Sequence, residues 1–453
     1  MKLTPDSNKL LKFFSKHHCL PHIHQTKTTD NIFKKLFIEI DAAAKHILSE
    51  KTRLGQQSFY KLVIKQIHNA KNIPKPMTFS PDSFPHLVKK HIEQHSLCSL
   101  TYSFQLLNKP ITIIFLVEEQ DESEKTIQKY NKYVDNMLTW LYIVLQHASP
   151  KCVSKLSVYV YLTSLTKELP KIQTEILNQH HVNTAFTYSC PKDAEIVVFR
   201  KEEWFKVFMH ETFHNFALDF SDMNNSECHS KILEIFPVKS EVNLFEAYTE
   251  FWARIMNVVF CSYLNTKGKK GYKGIDKEKD IDDFLDNVEM FMNFEIMYSF
   301  FQMIKVLHFM NLEYKQLWDQ SSNANNIRNT KYKEDTNVLS YYVITLIVIY
   351  NYQPFLLWCY NHNPTLLQFN KTPENQMEFC HFIESKYKAP KLLHGIKCVT
   401  ELFKKIKVIN NQNIVINATT KTNTNPNTKT NPNTKKEIDY LYTNLRMTLC
   451  ELG

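Results

Sequence analysis

Several features that announce particular protein classes are scarce or missing. The ten cysteines stand singly, with no CxxC pair. That excludes a small disulfide-rich design, so the thiols are expected to be reduced. The stretch MKLTPDSNKLLKFFSKHHC at the N-terminus lacks the uninterrupted apolar run of a secretory signal peptide, and secretion is not expected. No block of five like charges occurs. The formal net charge of +9 is therefore a diffuse background, and no specific nucleic-acid partner is expected. Glycine is scarce, six in 453 residues, and with abundant lysine, asparagine and isoleucine this points to an AT-rich coding genome.

What is present is the composition of a globular protein, 43% hydrophobic and 22% charged, on a chain long enough for two or three packed units. The most informative stretch is RKEEWFKVFMHETFHNFALDF at 200–220. Trp204, Phe205, Phe208, Met209, Phe213 and Phe216 recur at helical spacing with no Pro or Gly between them, so the stretch reads as one helix with a buried face. It carries His210, Glu211 and His214 in the order His-Glu-Xaa-Xaa-His. Residues four apart share a helix face, so the two imidazoles can converge on one Zn2+ ion, with Glu211 beside it as general base. At this histidine and glutamate content the pentapeptide arises by chance in roughly one such chain in twenty, so the metal reading depends on a third ligand further along the chain.

A zinc site that activates water needs that third protein ligand and an open fourth position. The metzincin pattern is excluded, because Ala217 and Phe220 stand where it places a Gly and a third His. A second helical stretch, SEVNLFEAYTEFWARIMN at 240–257, offers Glu246 and Glu250 on one face. Between the two stretches, Asp222, Glu227, Cys228 and His229 are also capable ligands, and His229 is the principal rival to Glu246. His308, Tyr298, Tyr341 and Tyr342 are alternatives for the donor that would stabilise an oxyanion.

The run Glu246-Ala-Tyr-Thr-Glu250 is similar to the Glu-Xaa-Xaa-Xaa-Asp/Glu signature of gluzincins, the thermolysin-like zinc peptidases. That resemblance implies that His210, His214 and Glu246 bind the metal, that Glu211 is the base, and that Glu250 orients a ligand imidazole. Glu250 stands where Asp is common. A narrower resemblance rests on VNTAFTYS at 182–189 and IVVFRKEEWFKVFMHETFHNFALDFS at 196–221. These resemble a set of uncharacterised zincin-like proteins of the nucleocytoplasmic large DNA viruses, with likeness over about residues 111–257. It implies a viral protein of the host cytoplasm, a viral factory or a virion.

Along the chain, residues 1–95 read as a helical lead-in, with a helix at 30–48. His17, His18, His22 and His24 lie here without a Cys pair or carboxylates at ligand spacing, and read as solvated side chains. Residues 96–270 form the expected zincin-like core. LCSLTYSFQLL and ITIIFLVE read as strands about a turn at 108–110, followed by a helix at 123–146 and strands at 155–165 and 194–199. Either 183–188 or 194–199 is a candidate cleft-edge strand for pairing with an extended peptide. After a basic loop at 267–271, residues 271–416 read as a helical subdomain. The uncharged stretch 336–360 is interrupted by Asn337, Asn351, Gln353 and Pro354, so a buried helix is expected rather than a membrane span. Residues 417–435 repeat Thr-Asn-Pro-Asn-Thr-Lys and read as a disordered linker. Residues 436–453 read as an amphipathic helix, with Ile438, Leu441, Tyr442, Leu445 and Leu449 on one face, that either docks in cis or binds a partner.

The fold class expected is α+β and zincin-like: a small mixed sheet packed on the HExxH helix, with helical regions before and after it. The function expected is a zinc-dependent metallopeptidase acting on a protein or peptide substrate. The alternative is a catalytically inactive zincin-fold virion or host-interaction protein with a structural metal.

Overall fold

The computed structural model describes residues 2–270, 277–419 and 439–453. Most of the expected linker at 417–435, Ile438 on the expected terminal helix and Gly271 of the basic loop lie outside the described residues. The architecture is α+β. Its strands are β1 (Lys61–Gln66), β2 (Cys98–Leu106), β3 (Lys109–Val117), β4 (Lys155–Tyr161), β5 (Leu177–Asn178), β6 (Ala185–Thr187), β7 (Asp193–Val198) and β8 (Glu334–Asp335). Among the described residues β5 pairs only with β8, and the other six strands form one mixed sheet in the order β1-β2-β3-β4-β7-β6.

Local chemistry accounts for these strands. β2 and β3 are joined by Leu107 and Asn108, with φ of 49° and 62°. A two-residue turn with both residues left-handed matches the twist of a hairpin. The turn falls one residue earlier than 108–110, because Lys109 and Pro110 already pair with Leu106 and Gln105. β3, β4 and β7 run parallel, so β3 reaches β4 through a crossover helix, Glu124–His147, capped by Ser123. These strands are buried on both faces. Phe115, Val160 and Val198 join the main core, while Leu116, Tyr161 and Val197 pack beneath Ile73, Val88 and Ile92. Burial on two sides explains why AEIVVF shows no alternation.

Three further expectations are corrected. The lead-in at 1–95 contains a strand, β1, paired antiparallel with β2; its lysines face solvent on an edge strand and hide the pattern. The basic loop is helical as far as it is described, because the helix Leu244–Lys270 runs through 267–270. Cys152 and Cys190 form a disulfide rather than free thiols. The parallel register Lys155↔Asp193 sets side by side the two segments that enter β4 and β7, and each cysteine lies three residues upstream of its strand. No described helix is long and apolar enough to cross a membrane. The uncharged stretch breaks at Asn351 into two helical segments, Leu339–Tyr350 and Tyr352–His362, that meet at 90°.

One apolar core runs from Leu10 to Leu452 and joins the sheet to the helical half around the long helix Lys277–Phe309. The C-terminal segment threads this core. Among the described residues from 439 onward it is helical only at 439–443, not to the end as expected for 436–453, and from Asn444 to Cys450 every residue is buried. A helix with one apolar face cannot satisfy burial on all sides; an irregular segment surrounded by donors and acceptors can. Glu203 accepts the main-chain N–H groups of Met447 and Thr448 at 3.0 and 2.6 Å. Glu295 Oε1 accepts those of Leu449 and Cys450 at 2.9 and 2.8 Å, while its Oε2 pairs with Arg254 at 2.8 Å. The tail thus packs into the body of its own chain.

Glu295→Ala would leave the buried charge of Arg254 without its carboxylate, although Ser299 Oγ and the main-chain carbonyl of residue 295 still accept from it, and would strip the Leu449 and Cys450 N–H groups of their acceptor; it is expected to cost about 3–5 kcal/mol in urea unfolding. A loss under about 1 kcal/mol, the range of an exposed pair, would mean that the tail is held by other contacts.

Candidate metal centre

The motif helix spans Trp204–Asn215, and all but one of its residues are buried. On its polar stripe Lys206, His210 and His214 recur every fourth residue, on one face. The helix ends without glycine. Ala217 takes φ 54°, and Leu218 N–H donates back to the Phe213 carbonyl at 2.8 Å. This is a Schellman-type stop built on an alanine. The turn brings Asp219 back beneath His214, where its Oδ2 faces Nδ1 of that imidazole.

The helix Leu244–Lys270 carries the matching stripe, Glu246 and Glu250. Glu250 accepts both from Lys206 Nζ, at 2.9 and 2.9 Å, and from His210 Nδ1, at 3.1 Å. Glu246 Oε2 lies 3.1 Å from His210 Nε2 and 3.4 Å from His214 Nε2, and the two Nε2 atoms are 3.2 Å apart. Three donor atoms about one cation at roughly 2.0–2.1 Å, with tetrahedral angles, are spaced roughly 3.3–3.4 Å apart. The observed edges of 3.1, 3.2 and 3.4 Å come close to that spacing, and His210, His214 and Glu246 form a group able to hold a metal ion.

Protonation strengthens the fit. Each Nδ1 faces a carboxylate, Glu250 for His210 and Asp219 for His214. With the proton at Nδ1, both Nε2 lone pairs point at the space shared with Glu246. The alternative is to protonate both rings, which places two Nε2–H groups 3.2 Å apart in a buried site. Burial opposes the charged form of each ring, but Glu246 and Glu250 raise the pKa of His210, and Asp219 and Glu246 raise that of His214 well above the ordinary imidazole value. The pocket therefore demands positive charge, and a single divalent cation meets that demand for all three donors.

Glu211 is buried and lines the same cleft as His210, Lys206 and Tyr341. Burial raises its carboxyl pKa, against the lowering effect of the two histidines. Of the four oxyanion alternatives only Tyr341 is at the cleft, its hydroxyl donating to Glu246 Oε2 at 2.9 Å. It stands on a π-helical turn, Leu339–Ile344, a distortion that recurs at functional sites. Tyr298 and Tyr342 bind the C-terminal tail at Asn444 and Leu445, and His308 faces Lys407. His229 lies on the helix Ser226–Ile235, outside the three-donor group. Between the two candidate edges, β6 is the outer strand and β7 is interior. Asn183, Thr184 and Ala185 line the cleft, and Asn215 ties β6 to the motif helix through Thr187 Oγ1 at 2.8 Å.

Asp219 and Lys206 are not among the residues that sequence pattern alone singles out. Lys206 had a signal, its position four residues before His210 opposite Glu250; Asp219 had none, since no Gly or Pro marks the turn that returns it. Comparison with family models, with curated proteins and with solved structures finds no match to this chain.

Burial acts to raise the Glu250 pKa, and Lys206 and then His210 outweigh it, holding the carboxyl at about 2 against 4.5 unfolded. A depressed folded-state pKa contributes stability that is present above pH 4.5 and is lost as pH falls through about 2, on the order of 3 kcal/mol for this group. In metal-free protein, Glu250→Gln is expected to flatten the fall in urea midpoint across that window; an unchanged slope would mean that Glu250 is not held ionised.

Proposed function

We propose that this chain is a zinc-dependent metallopeptidase with a zincin-like fold and a gluzincin-like site, acting on a protein or peptide substrate. The observation that carries the reading is the triangle of His210 Nε2, His214 Nε2 and Glu246 Oε2, with edges of 3.1, 3.4 and 3.2 Å. Two neutral imidazoles and one carboxylate are the donor set of catalytic zinc sites, and three protein donors leave a position for water or substrate. When bound there, zinc would polarise a scissile carbonyl and acidify a water to a pKa of about 7.

The chain's own groups have distinct tasks in this account. Glu211 takes the proton of the attacking water on a carboxylate oxygen and passes it to the nitrogen of the leaving amine, so that no net proton is consumed. Its buried position favours a carboxyl basic enough for both transfers. Tyr341, kept protonated because burial and then Glu246 raise its pKa, turns its one O–H from Glu246 Oε2 to the oxygen on which charge develops. Glu250 with Lys206, and Asp219, hold the two imidazoles in the Nδ1–H form. The outer edge of β6 receives the substrate backbone as an added strand.

Glu211→Gln is expected to retain zinc and to lose peptidase activity on unfolded protein substrates by about 10²-fold or more. Full activity in this variant with zinc bound would remove Glu211 from the chemistry. Asp219→Ala is expected to weaken zinc affinity about 10- to 100-fold, measured against a chromophoric chelator. Unaltered affinity would mean that Asp219 does not orient His214.

A further inference from the structure

The chain passes from its first helix, Pro5–Lys16, to its second, Lys27–Leu54, through an extended segment that carries His22 and His24. Side chains two apart on extended backbone share a side. Both imidazoles face the helix Lys277–Phe309. His22 Nε2 lies 2.8 Å, and His24 Nδ1 3.1 Å, from the same oxygen, Oε1 of Glu289. The ring centroids are 4.6 Å apart, and the three donor atoms all fall within 4.8 Å of one another. The carboxylate whose absence made these histidines read as solvated is brought in by the fold from the other half of the chain.

The backbone presenting them is fixed on both sides. Glu289 Oε2 accepts the Gln25 N–H at 2.8 Å. Asn293, one turn further on, grips Ile23 twice, accepting its N–H at 2.8 Å and donating to its carbonyl at 3.1 Å. Gln353 holds the far side, donating to the His24 carbonyl and accepting the Thr26 N–H, both at 2.8 Å. Binding an ion would therefore order little more than two imidazole rings, which keeps the entropic cost small. Two imidazoles and one carboxylate favour a borderline ion such as zinc over calcium or magnesium, which prefer all-oxygen sites. His22 and His24 are exposed, so water can complete the coordination.

We infer that His22, His24 and Glu289 form a second divalent-cation site, suited to zinc, that fastens the N-terminal segment to the helix Lys277–Phe309. It shares no residue with the buried triangle and stands independently of the peptidase reading.

The test is zinc stoichiometry of the full chain by calorimetric titration with Zn2+ and metal analysis after dialysis. Wild type is expected to bind two equivalents. The His22→Ala, His24→Ala double variant should lose one, and neither side chain is in the core. Glu289→Gln, which keeps the side-chain size, should lose the same equivalent. The His214→Ala variant should lose the other and still gain thermal stability with zinc. If the buried site takes no zinc, wild type binds one equivalent that His214→Ala retains and the double variant lacks, which supports this site while removing the peptidase reading. Equal stoichiometry in wild type and the double variant would overturn the proposal, as would a His214→Ala chain that binds no zinc.

Discussion

A carboxylate and two imidazoles cannot share a dry interior unless something balances their lone pairs and charge. That constraint governs the centre of this protein. Glu246 sits within 3.4 Å of both ring nitrogens, and its pKa is held far below the carboxylate range; burial would raise it, but His214 and His210 outweigh burial. Each imidazole is held from behind by a further carboxylate, and one of these is held in turn by Lys206. The antiparallel pairing of the two polar stripes, Lys206–His210–His214 against Glu250–Glu246, is thus an electrostatic register as well as a packing arrangement.

The same rule extends below the centre. Lys167 pairs with Glu203, Arg254 with Glu295 and Arg446 with Glu451, all of them buried or nearly so. Their carboxylates also accept main-chain N–H groups, those of the C-terminal tail at Glu203 and Glu295 and that of Glu203 at Glu451. Lys305 donates to the tail carbonyl of Asn444. Buried pairs of this kind add little net stability against an apolar alternative, but breaking one is costly, so they select one arrangement of the chain over others. Met447 of the tail lines the cleft beside Glu211. The catalytic geometry proposed and the seating of the tail are therefore parts of one network.

Much of this was legible in the sequence because helical period reports neighbours directly. His210 with His214, and Glu246 with Glu250, are four apart, and the fold brings the two pairs together. The buried strands were legible as apolar runs. What escaped depends on geometry that period cannot carry. Asp219 reaches His214 through a left-handed alanine that resembles ordinary helix in composition. Lys206 has the look of a solvated lysine until Glu250 is placed opposite it. β1 has only a three-residue apolar run, Leu62 to Ile64, between Lys61 and Lys65, and Val63 within it faces solvent, so the alternation of a half-buried strand does not show. Leu441, Leu445 and Leu449 mimic a helical face, although from Asn444 to Cys450 the segment is irregular and buried on all sides. The Cys152–Cys190 bond arises from strand register, which no single segment reveals.

The central claim is that three donor atoms on two helices hold one cation. Its most direct test is anomalous diffraction at the zinc edge from crystals of the full chain grown with Zn2+. The account predicts a peak about 2.0–2.2 Å from His210 Nε2, His214 Nε2 and Glu246 Oε2. No density within that triangle at saturating zinc, or a peak there bound by His229 in place of Glu246, would contradict it.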